Sequence, residues 1–320
     1  MDFPDYKHFW NNKALDAVSA MSAVDGSPDE TTLRLTGRFT ARQVRAALDP
    51  RPTDHLFEIG CGVGRIGREV LPDVAHWTGL DISENMLAVA AGRLGGGDRL
   101  SLAPLHGPRL EGLADGSMDK GYCVAVFIHM DKEDFALYLR EVARVLRPGG
   151  LFYFDHWNLA HPGGWRRYEM ELAQALAMPP GVRKDVARNQ FTVPEEARLF
   201  VERAGLEVVA CLGDSPFLQL VARKPGGGVT LAAEQARVAA AAGTLSYGPA
   251  WTHYFDLIVQ AEQAGTPPQA LADELVAAPG ADLVVSMFRR WLAGNWQRRS
   301  AQWGPVPDAL ARDLGAADAR

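Results

Sequence analysis

Apolar residues follow two rhythms along this chain. Between residues 54 and 225, short apolar runs alternate with helically spaced stretches: Leu56–Ile59, Trp77–Ile82, Leu100–Leu105, Tyr122–Ile128, Leu151–Phe154, Val208–Leu212 and Phe217–Ala222. The clearest helix between them is Glu133–Leu146, with Phe135, Leu139, Val142 and Leu146 on one face and Arg147-Pro148-Gly149-Gly150 as its stop. A second is expected from Thr192-Val193-Pro194-Glu195, which has the spacing of a capping box, to Gly205. Strand–helix alternation of this kind predicts a parallel sheet covered on both faces. The last two runs are joined by only a few residues around Gly213-Asp214-Ser215-Pro216, so they must pair antiparallel. Residues 1–50 differ: an aromatic start (Phe3, Tyr6, Phe9, Trp10), an acidic turn over 25–30, then a helix expected to open at the capping box Thr40-Ala41-Arg42-Gln43 and stop at Pro50. Beyond a linker at 224–228, only helical rhythm remains, over 231–242, 251–263 and 282–300.

Composition narrows the class. Of 320 residues, 47% are hydrophobic and 22% charged, which excludes disorder as the main state. The net charge of −6, from 33 Lys+Arg and 39 Asp+Glu, leaves nucleic-acid binding only to a local basic patch. Trp251, Trp291, Trp296 and Trp303 do interleave with Arg289, Arg290, Arg298 and Arg299, a combination that can stack on single strands. Yet residues 226–320 hold 7 Lys+Arg against 9 Asp+Glu, a net −2. An apolar stripe edged by arginines is the better reading, serving as a helical cap over a substrate pocket or as a homodimer interface. Cys61, Cys123 and Cys211 lie far apart, which excludes a disulfide scaffold or Cys-rich zinc site and fits a reducing cytoplasm. No apolar run approaches the ~20 residues that span a bilayer, and residues 1–5 do not read as a signal peptide. A cytoplasmic protein with neither nucleic acid nor membrane as partner is expected.

The chemistry concentrates in Leu56-Phe57-Glu58-Ile59-Gly60-Cys61-Gly62-Val63-Gly64-Arg65, a strand that ends in an acid and runs into a glycine loop and a helix. Glycines let the backbone turn tightly and approach a ligand. Asp81, seventeen residues after Gly64, ends the next run, where a carboxylate accepts hydrogen bonds from ribose hydroxyls. Gly62-Val63-Gly64-Arg65-Ile66-Gly67 also matches the dinucleotide fingerprint in its letters. Glu58 shifts the balance between the two: it would repel a pyrophosphate but could bond the ammonium of an amino-acid cofactor such as S-adenosylmethionine.

Three further stretches follow in order: Leu80-Asp81-Ile82-Ser83 with Met86-Leu87, Asp115-Gly116-Ser117-Met118-Asp119-Lys120-Gly121-Tyr122, and Leu139 leading to Arg144-Val145-Leu146-Arg147-Pro148-Gly149-Gly150. With them the sequence resembles the class I S-adenosylmethionine-dependent methyltransferases from about residue 54 to 225. The resemblance implies an α/β fold with a seven-stranded, mostly parallel sheet, helices on both faces and the last strand antiparallel. It divides the chain into N-terminal cover helices (1–50), a cofactor-binding core (51–225) with a lid insertion at about 156–190, and a C-terminal helical extension (226–320). It also implies roles. Glu58 would serve the methionine ammonium, Gly60, Cys61 and Gly62 would give backbone room, and Asp81 would hold the ribose, with Ile82 and Met86 against the adenine. Leu110 and Cys123 complete the implied cofactor side. Where many relatives carry an acid for the adenine amino group, this chain has His106-Gly107-Pro108-Arg109-Leu110. Thr36-Gly37-Arg38 resembles an element that meets the cofactor carboxylate, which would make Arg38 a ligand.

Methyl transfer is an in-line displacement helped mainly by positioning, and a hydroxyl acceptor also needs a base. His156 is the expected base, with His129 and Asp155 as the other candidates. Asp155, His156, Asn158 and His161 lack any recognised metal spacing, so no metal is expected. Trp157, Trp165, Arg166, Arg167 and Tyr168 in the insertion suit an acceptor with an apolar ring and an anionic group, or else a lid packing its own aromatics. The expected activity is methyl transfer to a small-molecule acceptor, on a hydroxyl of a natural product or sugar-like metabolite. The alternatives are methylation of RNA or protein, and a non-catalytic cofactor-binding module.

Overall fold

Seven apolar runs become seven strands of one sheet in the computed structural model, which describes residues 6–179, 188–278 and 282–315. They are β1 (His55–Ile59), β2 (His76–Asp81), β3 (Leu100–Pro104), β4 (Met118–Cys123), β5 (Leu146–Asn158), β7 (Glu207–Leu212) and β8 (Phe217–Arg223). A two-residue β6 (Phe191–Thr192) adds an eighth by pairing with the end of β5. The order is β3-β2-β1-β4-β5-β8-β7, and only β8 runs against its neighbours. This is the mixed, mostly parallel sheet that the resemblance implied. The chain winds outward from β1 to β3 and then returns to β4 beside β1. At such a reversal the loops part, leaving a crevice at the carboxyl ends of the strands.

Helices α1 (Tyr6–Lys13), α2 (Ala17–Asp25) and α3 (Glu30–Leu48) precede the sheet. The helix expected from Thr40 in fact starts ten residues earlier. The Asp29 carboxylate accepts the Thr32 N–H at 2.8 Å and starts α3, leaving Thr40 buried in mid-helix. Within the core lie α4 (Gly67–Val70), α5 (Glu84–Leu94), α6 (Lys132–Val145), α7 (Pro162–Leu176) and α8 (Pro194–Arg203). α6 buries Phe135, Tyr138, Leu139, Val142 and Val145 against the sheet, with Asp131 as its cap. The second expected capping box also fails. α8 has no side-chain cap, and Thr192 Oγ1 bonds Glu196 at 2.8 Å instead.

The remaining chain is helical: α9 (Leu231–Ala240), α10 (Ala242–Leu245), α11 (Gly248–Ala264), α12 (Gln269–Ala277), α13 (Leu283–Arg298), α14 (Ser300–Trp303) and α15 (Asp308–Gly315). It builds its own apolar core from Leu271, Leu275, Phe288, Leu292 and Trp296, joined by Phe39 of α3. The described part of the expected lid serves this extension. Trp157 stacks on Phe217 at 4.1 Å, Arg167 lies over the Trp157 ring at 5.6 Å, and Arg166 pairs with Asp256 of α11. Its aromatics therefore pack within the protein, Trp157 also meeting Phe255 of α11 at 5.7 Å and Tyr168 meeting Phe191 of β6 at 5.3 Å; residues 180–187 of that insertion lie outside the described residues. The tail arginines are engaged too: Arg289 with Asp313 at 3.0 Å, Arg290 with Asp29 at 2.8 Å, and Arg299 over Trp303 at 4.8 Å.

Candidate functional site

A cavity of about 260 Å³ opens at the carboxyl ends of β1, β2 and β4. The glycine turn forms its floor. Gly60 and Gly62 adopt φ of 70° and 52°, and a Cβ at Gly60 would collide with the Val126 methyls of the opposite wall. That wall is the loop after β4, Val124 to Val126 and Ile128 to Met130, and the loop after β3 adds Leu105, Gly107 and Pro108. Over the mouth lie Tyr6 and Trp10 of α1 and Ala23 and Val24 of α2.

The electrostatics of this cavity are uneven. Glu58 is 3% exposed, and its Oε2 accepts the Tyr122 hydroxyl at 2.7 Å, which in turn accepts the Trp77 indole N–H at 3.0 Å. Burial pushes Glu58 up to about 8, against the pull of the Tyr122 hydrogen bond. Asp81 accepts the Gly62 N–H at 2.7 Å on Oδ2 and the Ser83 N–H at 2.8 Å on Oδ1. Burial raises it to about 6 in spite of these bonds. Asp134 is raised by burial, then by the charges of Asp131 and Glu133. Against these three carboxylates the wall has one guanidinium, Arg65. Its Nη1 donates to Thr40 Oγ1 at 3.0 Å, and its Nε is buried without a hydrogen-bond partner. A pocket so rich in buried acid fits a ligand carrying cationic sulfonium and ammonium centres, and the unmatched Arg65 N–H fits a carboxylate on the same ligand.

α1 straddles the mouth. On the β2 side, Asn11 Oδ1 accepts the Ser83 hydroxyl at 2.8 Å and Lys7 pairs with Glu84 at 2.7 Å. On the β4 side, the Asp131 N–H donates to Tyr6 Oη at 3.3 Å, and Trp10 meets the His129 ring at 5.1 Å, edge to face. No residue of α1 is fully buried.

Of the residues singled out in the sequence, Glu58, Gly60, Cys61, Gly62, Asp81, Ile82, Met86 and His129 line this one cavity. Five others do not. Leu110 and Cys123 point into the core packed around Phe127 and Tyr138, and the cavity is lined instead by residues beside them, Pro108 and Val124. Arg38 lies along α3, outside the lining; Arg65 is the arginine at the cavity. His156 fails as a base by position. β5 continues past the run read from the sequence, so His156 stays inside the paired strand opposite Leu218, 3% exposed, with its ring 5.7 Å from Phe135. Burial pulls its pKa down to about 4. Asp155, next to it, is equally enclosed: Oδ1 accepts the Ala125 N–H at 2.6 Å and Oδ2 the Tyr247 hydroxyl at 2.9 Å. The C-terminal extension, expected as a cap or a dimer interface, stands apart from this cavity: among the described residues none beyond Tyr138 lines it. Sequence reasoning missed Tyr6, Trp10, Arg65, Asp134 and Tyr138. Only Arg65, directly after the third glycine, stood inside a motif that could have marked it.

Comparison with known proteins gives a family match and a set of partial relatives. The methyltransferase domain family matches residues 57–154. An O-methyltransferase of Aspergillus sclerotiorum, resE, is 30% identical over 128 residues, 39% of this chain and 47% of that protein. Methyltransferase GfsG of Streptomyces halstedii is 34% identical over 118 residues, 36% of this chain and 41% of its own. The ubiquinone biosynthesis O-methyltransferase of Aromatoleum aromaticum is 27% identical over 168 residues, 50% of this chain and 67% of that one. The first of these matches spans about half the length of the relative concerned, 47%.

Proposed function

We propose that this chain, whose residues 57–154 match a methyltransferase domain family, is an S-adenosylmethionine-dependent enzyme that methylates a hydroxyl of an apolar, ring-bearing small molecule. One observation carries the reading: a single cavity joins a floor of buried carboxylates to an apolar mouth of Tyr6, Trp10, Ile128 and Met130 that holds one imidazole, His129. S-adenosylmethionine, when bound, supplies a methyl group on a sulfonium leaving group. Glu58 would hold its ammonium, Asp81 its ribose, and Arg65 its carboxylate, while Ile82 and Met86 would flank the adenine. Tyr6, Trp10 and Met130 would then sandwich the acceptor and keep water out, so that positioning supplies most of the rate. His129 would take the hydroxyl proton, a role suited to an imidazole near neutral pH. The oxygen acceptor draws support from the partial relatives named as O-methyltransferases.

Calorimetry with S-adenosylmethionine tests the cofactor half; absence of binding, or preference for a nicotinamide dinucleotide, would sink it. For the acceptor half, His129→Gln should lower turnover on hydroxyl acceptors about 10²-fold or more at unchanged cofactor affinity. Full turnover in that variant would remove His129 as the base.

A further inference from the structure

We propose that Tyr247, in the C-terminal extension, is a positioning residue for the cavity: through Asp155 it holds the turn at Ala125 that shapes the wall facing the glycine loop. The inference rests on reading that cavity as the cofactor site.

Ala125 has φ of 58°, in the left-handed region that residues with a side chain rarely adopt. Such a conformation persists only if its surroundings impose it. Here the imposing contact is the Ala125 N–H, which donates to Asp155 Oδ1 at 2.6 Å. The other oxygen of Asp155 accepts the Tyr247 hydroxyl at 2.9 Å, across 92 positions of sequence. Val124, Ala125 and Val126 all line the cavity, and Val126 fills the space a side chain at Gly60 would need. A shift of this turn therefore moves the wall against the glycine loop.

Tyr247 is itself held in place. Its ring lies 5.3 Å from Phe217, 4.4 Å from Trp251 and 5.9 Å from Phe39. Just before it, the Leu245 carbonyl accepts Gln219 Nε2 at 2.7 Å, and Ser246 Oγ bonds Asp214 at 2.8 Å. Among the described residues the extension contributes none to the lining, yet it reaches the lining through the Tyr247 hydroxyl.

The groups facing Asp155 are the Arg65 guanidinium, the Tyr153 and Tyr247 hydroxyls, the Cys123 thiol and the Ala125 N–H. Burial raises Asp155 to about 6, while the Ala125 and Tyr247 hydrogen bonds, then Arg65, hold it down. Removing the Tyr247 hydroxyl takes away one of these restraints, so Asp155 gains its proton at higher pH and grips the Ala125 N–H less firmly.

Tyr247→Phe keeps the ring and deletes only the hydroxyl. In the full-length protein it should speed hydrogen exchange over residues 124–130. It should also weaken S-adenosylhomocysteine binding about fivefold at pH 7, the worth of one hydrogen bond, and move the acid limb of that binding to higher pH. In an Asp155→Asn background, which keeps an acceptor for Ala125, Tyr247→Phe should no longer shift that limb. Unchanged exchange in Tyr247→Phe, or faster exchange with unchanged affinity and acid limb, would overturn the proposal. Absence of binding in the unsubstituted protein sinks the proposed function, and this inference with it.

Discussion

Both ends of the chain lay helices on the same sheet, and they do opposite things. α1 lines the cavity, buries no residue fully and is held by a few polar contacts such as Asn11–Ser83 and Lys7–Glu84. Among the described residues the C-terminal extension lines none of it, yet it buries Leu271, Leu275, Leu292 and Trp296 almost completely and stacks rings against β8 and α3. It also braces the base of the N-terminal cover: Arg290 pairs with Asp29, and the Trp291 indole N–H donates to the Asp25 carbonyl at 3.2 Å. Elements that must admit a ligand are drawn from the weakly packed end of a fold, whereas those that brace it are cemented by apolar area. Aromatic richness alone does not separate the two. Trp10 and Trp251 look alike in sequence and end up in different roles.

The largest test of this contrast is Trp157→Ala, at the joint between the sheet and the extension. Loss of the stack on Phe217 should cost about 3–5 kcal/mol in denaturant unfolding. A loss below about 1 kcal/mol would mean that the extension is not cemented there.

The next concerns the cavity floor under α1. Glu58 sits near 8 in the free protein, so at neutral pH it is mostly protonated, while a cationic ligand favours its charged form. Affinity for S-adenosylmethionine should therefore rise about tenfold per unit as pH climbs from 6 towards 8, with proton release on binding. The free protein should show the reverse. Because the folded pKa lies above the ordinary 4.5, the stability from this group is complete below about 4.5 and lost as pH rises through about 8. A pH-independent affinity measured by calorimetry over that range would contradict the assignment of Glu58 to the ammonium.

Trp10→Ala should lower acceptor specificity (kcat/KM) about tenfold while moving unfolding stability by no more than about 1 kcal/mol, the mirror image of Trp157→Ala. The smallest expected change belongs to Asn11→Ala. Loss of its bond to Ser83 should weaken cofactor binding about fivefold, roughly one hydrogen bond, with thermal unfolding almost unaltered. If either substitution at α1 instead unfolded the protein, the two ends would not differ in kind.

The fold could be read from the sequence because its signals are local. Each strand is a short apolar run, the glycine turn is contiguous, and the short link at 213–216 compels the β7–β8 hairpin. Helix starts were less legible. Thr40 and Thr192 carry capping letters, but Asp29 had already started one helix, and Val193 begins the other without any side-chain cap. A cap motif states only what a side chain could bond, and competing partners decide whether it does.

The histidines mark where sequence stops. His129 and His156 each follow a strand in the pattern, and nothing in composition ranks one above the other. The length of β5 ranks them: two more paired residues after His156 leave it in the sheet, whereas β4 ends at Cys123 and frees the loop that carries His129 to the cavity. The sheet, the glycine turn and the acids at the ends of β1 and β2 are legible along the chain, since these depend on sequence neighbours. That Tyr6, Trp10 and Arg65 join them, and that Tyr247 reaches Asp155, emerges with the folded chain. Those contacts are set by packing between distant segments, which no local spacing encodes.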